Sequence, residues 1–302
     1  MSEENQLKNK VSDLEQRLES REKELVQYKN QMKTLQGQIT QLIEQVSQEL
    51  NMAHAIYKVL IPTELPNIPG FDFSTKYEPS MISSGDYFEI FDHHEKLKFN
   101  VLMASSFGLG TSAMFMSVLL KLIAQVELRK SSEVDQILKL IASEFLGSVK
   151  QGGNFDQKAH LCLLQIDRRH FELQLASTGD VVAYWYSDGN VEKISGHEKP
   201  LSGQMESEKD FKIHVSKKSI DAGDKLVIAS PGMAKALSSD AQSQFESEVM
   251  VKLLKDHGSE NPHELRHRLF YDLERFTSGR EPERDRTLIV MEVQDRVIKL
   301  AR

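Results

Sequence analysis

From Leu7 to Val46 the chain places an apolar residue at alternating steps of four and three: Leu7, Val11, Leu14, Leu18, Leu25, Tyr28, Met32, Leu35, Ile39, Leu42 and Val46. The one break is Arg21, where the pattern expects another apolar side chain. This is a 3.5-residue period, and one helix cannot bury so narrow a seam, so a second helix must cover it. Lys, Glu and Gln fill most other positions, and no proline occurs before Pro62. The pattern predicts a coiled coil over residues 1–60, with a homodimer as its simplest state. Arg21 and Tyr28 leave register and strand number open. The alternative is a solvated single helix, or one folded back on the rest of the chain.

Helical spacing continues through residues 49–60 and runs directly into Ile61-Pro62. Proline disfavours helix at the residue before it, which puts the helix end near Leu60. A rigid helix entering a domain without flexible punctuation can transmit twist or register into it.

Residues 61–302 read as one globular domain. β-type runs occupy residues 71–77, 86–91 and 97–104, and two helical segments follow between 112 and 149. Further strands are expected at 159–166, 171–177, 181–186, 191–194, 211–215, 225–229 and 287–293, with helices at 244–257 and 263–277. Ser187-Asp188-Gly189-Asn190 is a hairpin turn signal. Antiparallel meanders with helices grouped between them predict an α+β fold, a layered sandwich rather than alternating βαβ units. Trp185, between Tyr184 and Tyr186, is expected on a strand that alternates core and surface.

The formal net charge of −7 argues against a nucleic-acid binder, which needs a clustered basic surface. The single cysteine, Cys162, lies in an apolar run and reads as a small core residue. The charged amino terminus has no signal-peptide core, and no run of about 18 apolar residues predicts a membrane span. A cytoplasmic location is expected.

Glycine-containing turns close several strands: Ser83-Ser84-Gly85-Asp86, Ala104-Ser105-Ser106-Phe107-Gly108-Leu109-Gly110 and Ala229-Ser230-Pro231-Gly232. Another strand starts after Glu283-Arg284-Asp285-Arg286-Thr287. With Tyr77-Glu78-Pro79, Thr178-Gly179-Asp180, Lys199-Pro200-Leu201 and Ala222-Gly223-Asp224, these turns make residues 48–293 resemble the bacterial PPM-type serine/threonine phosphatases of the SpoIIE and RsbU kind. The resemblance implies an α/β/β/α sandwich. It also implies two manganese or magnesium ions, held by aspartates, that activate a bridging water against phosphoserine or phosphothreonine.

The departures from that family matter most. Asp86 keeps the aspartate of the first turn. Ser105 stands where the family has an aspartate shared by both ions, Pro231 where it has the aspartate of Thr-Asp-Gly, and Arg284 where it has the first of two paired acids. Asp285 keeps the second. Two divalent ions bring four positive charges against two remaining carboxylates, and uncompensated charge in a partly buried site costs several kcal/mol. The resemblance therefore predicts a degenerate metal site and no cofactor, with Mn or Mg at a residual site as the alternative. Asp86 and Asp285 then read as turn acids, as ligands of one residual ion, or as ion-pair partners of Arg284. Gly108-Leu109-Gly110-Thr111 lacks the lysine of a P-loop. His263 and His267, one helical turn apart, have no further ligand in view and read as a solvated face.

Three functional classes remain. One is a non-catalytic signalling protein that binds a protein partner, with a phosphoprotein as one class. The second is a working phosphatase with an altered site. The third is an assembly platform.

Overall fold

The computed structural model describes residues 3–60, 65–80, 85–92, 97–107, 111–128, 133–151, 158–196, 198–205 and 212–295. The side chain of Leu7, the residue Ser84 and the turn Gly108-Leu109-Gly110 lie outside the described residues. The chain divides into two compact units, Met1–Ile56 and Tyr57–Arg302.

The first unit lies within α1, a helix unbroken from Glu3–Leu60. Its seam residues from Val11 to Val46 are between 50% and 70% exposed. Exposed (i, i+3) and (i, i+4) pairs such as Arg17–Asp13 and Lys23–Glu19 line its flanks. Pairs of this kind support a helix only weakly.

In the second unit, eleven strands among the described residues form two sheets in which every pairing is antiparallel. One sheet takes β1 (Phe71–Glu78), β6 (Val182–Ser187), β7 (Asn190–Lys193), β10 (Lys225–Ala229) and β11 (Arg286–Val293), in the order β1-β11-β10-β6-β7. The other takes β2 (Asp86–Asp92), β3 (Lys98–Phe107), β4 (Lys158–Asp167), β5 (Glu172–Thr178) and β9 (His214–Ser219) in the order β2-β3-β4-β5-β9, with the two-residue β8 (Leu201–Ser202) on β4. Phe99 of β3 packs edge-on against Phe71 and Phe73 of β1, which places the sheets face to face.

Helices α2 (Thr111–Glu127) and α3 (Val134–Gln151) cover the second sheet, with Ile137, Ile141 and Phe145 buried among Leu102, Leu161 and Leu163. The short α4 (Pro231–Ala234), a π-helical turn (Glu246–Met250) leading into α5 (Val251–His257), and α6 (Pro262–Phe276) cover the first. Helix α6 starts where its sequence says: the Asn261 side chain accepts from the Glu264 N–H, and Pro262 takes the first helical position, where no N–H is needed. The result is the α/β/β/α sandwich expected. No helix among the described residues is long and apolar enough to cross a membrane.

Two local readings change and one is met. Tyr184, Trp185 and Tyr186 are all buried, because β6 has the helices on one face and the second sheet on the other. Strand β9 runs from His214 to Ser219, later than the 211–215 run, since an edge strand with alternating exposure needs few apolar residues. Asp188 and Gly189 both have positive φ, which gives the β6–β7 hairpin the primed turn its sequence asked for.

A buried β4 predicts that Leu163→Ala lowers stability by about 2–5 kcal/mol, read as a lower urea midpoint. An unchanged midpoint would contradict the packing of Leu163 between sheet and helices.

Candidate functional site

At one end of the sandwich the register of the second sheet sets three side chains in a row: Asp86 pairs with Ser105, and Ser105 pairs with His160. The alternation along β2, β3 and β4 turns Tyr87, Ala104 and Leu161 toward the helices, so this row faces the other sheet. From that sheet come Arg284 and Asp285, just before β11. Together Gly85, Asp86, Ser105, Ser106, His160, Arg284 and Asp285 enclose a space of about 10 Å³, room for about one water molecule.

Asp285 is 1% exposed and its carboxylate is fully engaged. Oδ1 accepts from the Ser80 N–H at 2.8 Å. Oδ2 accepts from the N–H groups of Gly85 at 2.8 Å and Asp86 at 3.1 Å, and from the Tyr77 hydroxyl at 3.1 Å. One buried carboxylate thus stitches the start of β11 to the turn before β2. Burial pushes its pKa up, and those four donors pull it back. Asp86 Oδ2 accepts from Thr287 Oγ1 at 2.7 Å. Burial, and then the neighbouring Asp285 charge, push Asp86 up to about 7, against hydrogen bonds from Ser105, Ser230 and Thr287.

Two glycines permit this closeness. A Cβ on Gly85 would lie 2.5 Å from Ser106 Oγ, and one on Gly232 would lie 2.0 Å from the Asp285 carbonyl oxygen. Ser106 Oγ also lies 2.6 Å from the Ala113 carbonyl and 3.0 Å from Ser117 Oγ, tying α2 to the same turn. Pro231 opens α4 at its first turn, and Ser230 Oγ accepts from the Thr287 N–H at 3.0 Å.

The structure therefore brings Asp86, Ser105, Arg284 and Asp285 into one pocket, with Pro231 on the adjoining helix. Arg284 is half-buried; burial lowers its pKa, while the charges of Asp180, Glu283 and Asp86 raise it. Sequence reasoning missed His160. Its Nδ1 accepts from the Asp180 N–H at 2.9 Å, so in the neutral ring the proton sits on Nε2. Burial drives its pKa down to about 4. The Thr178-Gly179-Asp180 turn that holds it is closed by Lys199 and Glu198 carbonyls. Only the β3–β4 register, across two intervening helices, reveals His160 beside Ser105. Cys162, buried and raised to about 12, is the inert core residue expected.

Residues 96–294 match the family of stage II sporulation protein E, SpoIIE. The chain belongs to the SpoIIE family. Among solved structures, the PP2C domain of SiaA from Pseudomonas aeruginosa superposes over 83% of this chain and 98% of its own, at 16% identity and a TM-score of 0.66. The PP2C phosphatase domain of SpoIIE from Bacillus subtilis, with a fragment of its regulatory domain, covers 76% of this chain and 64% of its own, at 18% identity and a TM-score of 0.60. The catalytic domain of the serine/threonine phosphatase PstP, in complex with two manganese ions, covers 74% of this chain and 99% of its own, at 14% identity and a TM-score of 0.54. At these identities the structural matches establish the fold. No curated protein sequence matches the chain.

In this SpoIIE-family site the folded pKa of Asp86 lies above its ordinary value, so the native state holds the proton more tightly than the unfolded chain does. Its contribution to stability is greatest below about pH 4 and falls by about 1.4 kcal/mol per unit as pH rises toward the folded value. In EDTA, Asp86→Asn is expected to raise the melting temperature relative to the native chain more at pH 8 than at pH 5. An equal change at both pH values would contradict a strained, buried carboxylate at position 86.

Proposed function

We propose that this chain is a cytoplasmic signalling protein in which a coiled-coil dimer carries two SpoIIE-type domains that act by binding a protein, without hydrolysis. The observation that carries this reading is the donor set. Among the described residues, Asp86 and Asp285 are the carboxylates lining the pocket, and both already accept hydrogen bonds from neighbouring turns and from β11. Mn or Mg would need several oxygen ligands each, and paired ions stand about 3.5–4 Å apart with a bridging water. Ser105 is a weak neutral ligand, Pro231 has no side-chain ligand, and Arg284 adds a positive charge beside the pocket. The residues present do not fit a two-ion centre.

The retention of Asp86 and Asp285 at facing positions favours a second reading, a phosphatase that works with one ion. Bound manganese and hydrolysis of an aryl phosphate separate the two. The proposal expects no phosphate release with Mn²⁺; release that disappears in Asp86→Ala would establish the second reading.

The exposed seam supports dimerisation. Val11, Leu18, Leu25, Met32, Ile39 and Val46 take the a positions, and Leu7, Leu14, Tyr28, Leu35 and Leu42 take d. Val11, Ile39 and Val46 put β-branched side chains at half of the a positions and, counting Arg21, leucine takes four of the six d positions, a partial match to the parallel two-stranded pattern. In a parallel, in-register pair, Lys10, Arg17 and Glu24 at g of one helix face Glu15, Glu22 and Lys29 at e of the other, all of opposite charge. An antiparallel pair would lose this match. Leu35→Pro is expected to convert a dimer to a monomer by light scattering while the melting transition of the globular unit persists. A dimer that survives Leu35→Pro would contradict association through the coil.

A further inference from the structure

Next to the Asp86–Asp285 pocket, and sharing Arg284 with it, a larger groove of about 270 Å³ opens between α4 and residues 277–286. Pro231, Ala236 and Leu237 form an apolar wall, and Leu237 is 42% exposed. The rest of the lining holds four cationic side chains with Glu281 and Glu283, of which Arg286 is neutralised by Glu78 and Lys235 shares Asp180.

The cations differ in what they can offer. Arg286 is buried and committed to Glu78 at 3.1 Å, so it belongs to the wall. Lys235 touches Asp180 Oδ2 at 2.8 Å, yet 41% of its side chain is exposed, and an ammonium has three donors. Arg280 is exposed and gives one guanidinium N–H to the Ser239 carbonyl at 2.6 Å, out of five donors. Arg284 stands half-buried where the groove meets the acid pocket.

We propose that this groove docks a short acidic segment of a partner protein, with carboxylates on Arg280, Arg284 and Lys235 and an apolar neighbour against Leu237. The proposal rests on the reading that the chain acts by binding a protein, and it names the chemistry of what is bound. Glu281 and Glu283 separate the cations, so the groove offers spaced single positive charges rather than one deep well. Spaced carboxylates on a peptide suit that arrangement better than one dianionic phosphate, and guanidinium forks match carboxylates two bonds at a time.

The test is fluorescence anisotropy with the full chain in EDTA, using a labelled eight-residue peptide of alternating glutamate and leucine. Glutamine–leucine and phosphoserine–leucine peptides of the same length serve as comparisons. Saturable binding of the glutamate peptide is expected, weakening with salt. Arg280→Gln and Arg284→Gln should each weaken it about tenfold or more, the loss of one charge-assisted guanidinium–carboxylate contact. Lys217→Gln makes the same charge change on exposed β9 and should leave affinity within about twofold. Melting curves check that each variant folds, and exposed Arg280 keeps the test valid if Arg284→Gln does not. The proposal is overturned by absent saturation, by equal binding of the glutamine peptide, by undiminished affinity in a folded Arg280→Gln, or by binding of the phosphoserine peptide alone. Because the titration is run in EDTA, a manganese-dependent phosphatase activity found separately would sink the non-catalytic reading and leave the groove standing. An inert protein that ignores the acidic peptide would sink the groove alone.

Discussion

The Asp285 carboxylate is the joint on which the site depends. It leaves the first sheet just ahead of β11 and takes the backbone N–H groups of Ser80, Gly85 and Asp86 together with the Tyr77 hydroxyl. A buried carboxylate without such donors costs several kcal/mol. With them it fixes where β2 begins, and through β2 the row Asp86–Ser105–His160. Gly85 and Gly232 are glycines because this joint pulls two backbones closer than any Cβ allows. In the proposed non-catalytic reading, the hydrogen bonds to Asp285 hold this geometry without an ion.

That difference accounts for the composition of the pocket. On that reading, Ser105, Pro231 and Arg284 add no carboxylate to the repulsion between Asp86 and Asp285. Asp86 still lies beside Asp285, and burial with that neighbour keeps its proton affinity high. A serine next to Asp86, a neutral histidine beyond it and an arginine at the rim are what a low-dielectric pocket tolerates without a cation. Arg284 also lines the neighbouring groove, so the proposed acidic segment would meet the same side chain that borders the acid pocket.

Much of this was legible in the sequence, and the rest fails for identifiable reasons. The seam from Leu7 to Val46 is a local period within one helix and needs no tertiary knowledge. The strands around Asp86, Lys225 and Thr287 and the hairpin at Asp188-Gly189 are likewise set within a few residues. His160 was invisible because its place beside Ser105 depends on a register set across α2 and α3. Trp185 was misjudged because coverage of both faces of β6 depends on the position of the strand in its sheet. The hydrogen bonds of Asp285 span about two hundred residues of chain, and no local pattern encodes them.

On the proposed reading, Asp86 and Asp285 serve as structural acceptors rather than ion ligands. The most direct measurement is the melting temperature of the full chain in EDTA and in excess Mn²⁺ at neutral pH. A ligand that binds only the folded state raises stability by RT ln(1 + [L]/Kd). The account predicts superimposable melting curves. A manganese-dependent rise that Asp86→Ala abolishes would contradict it.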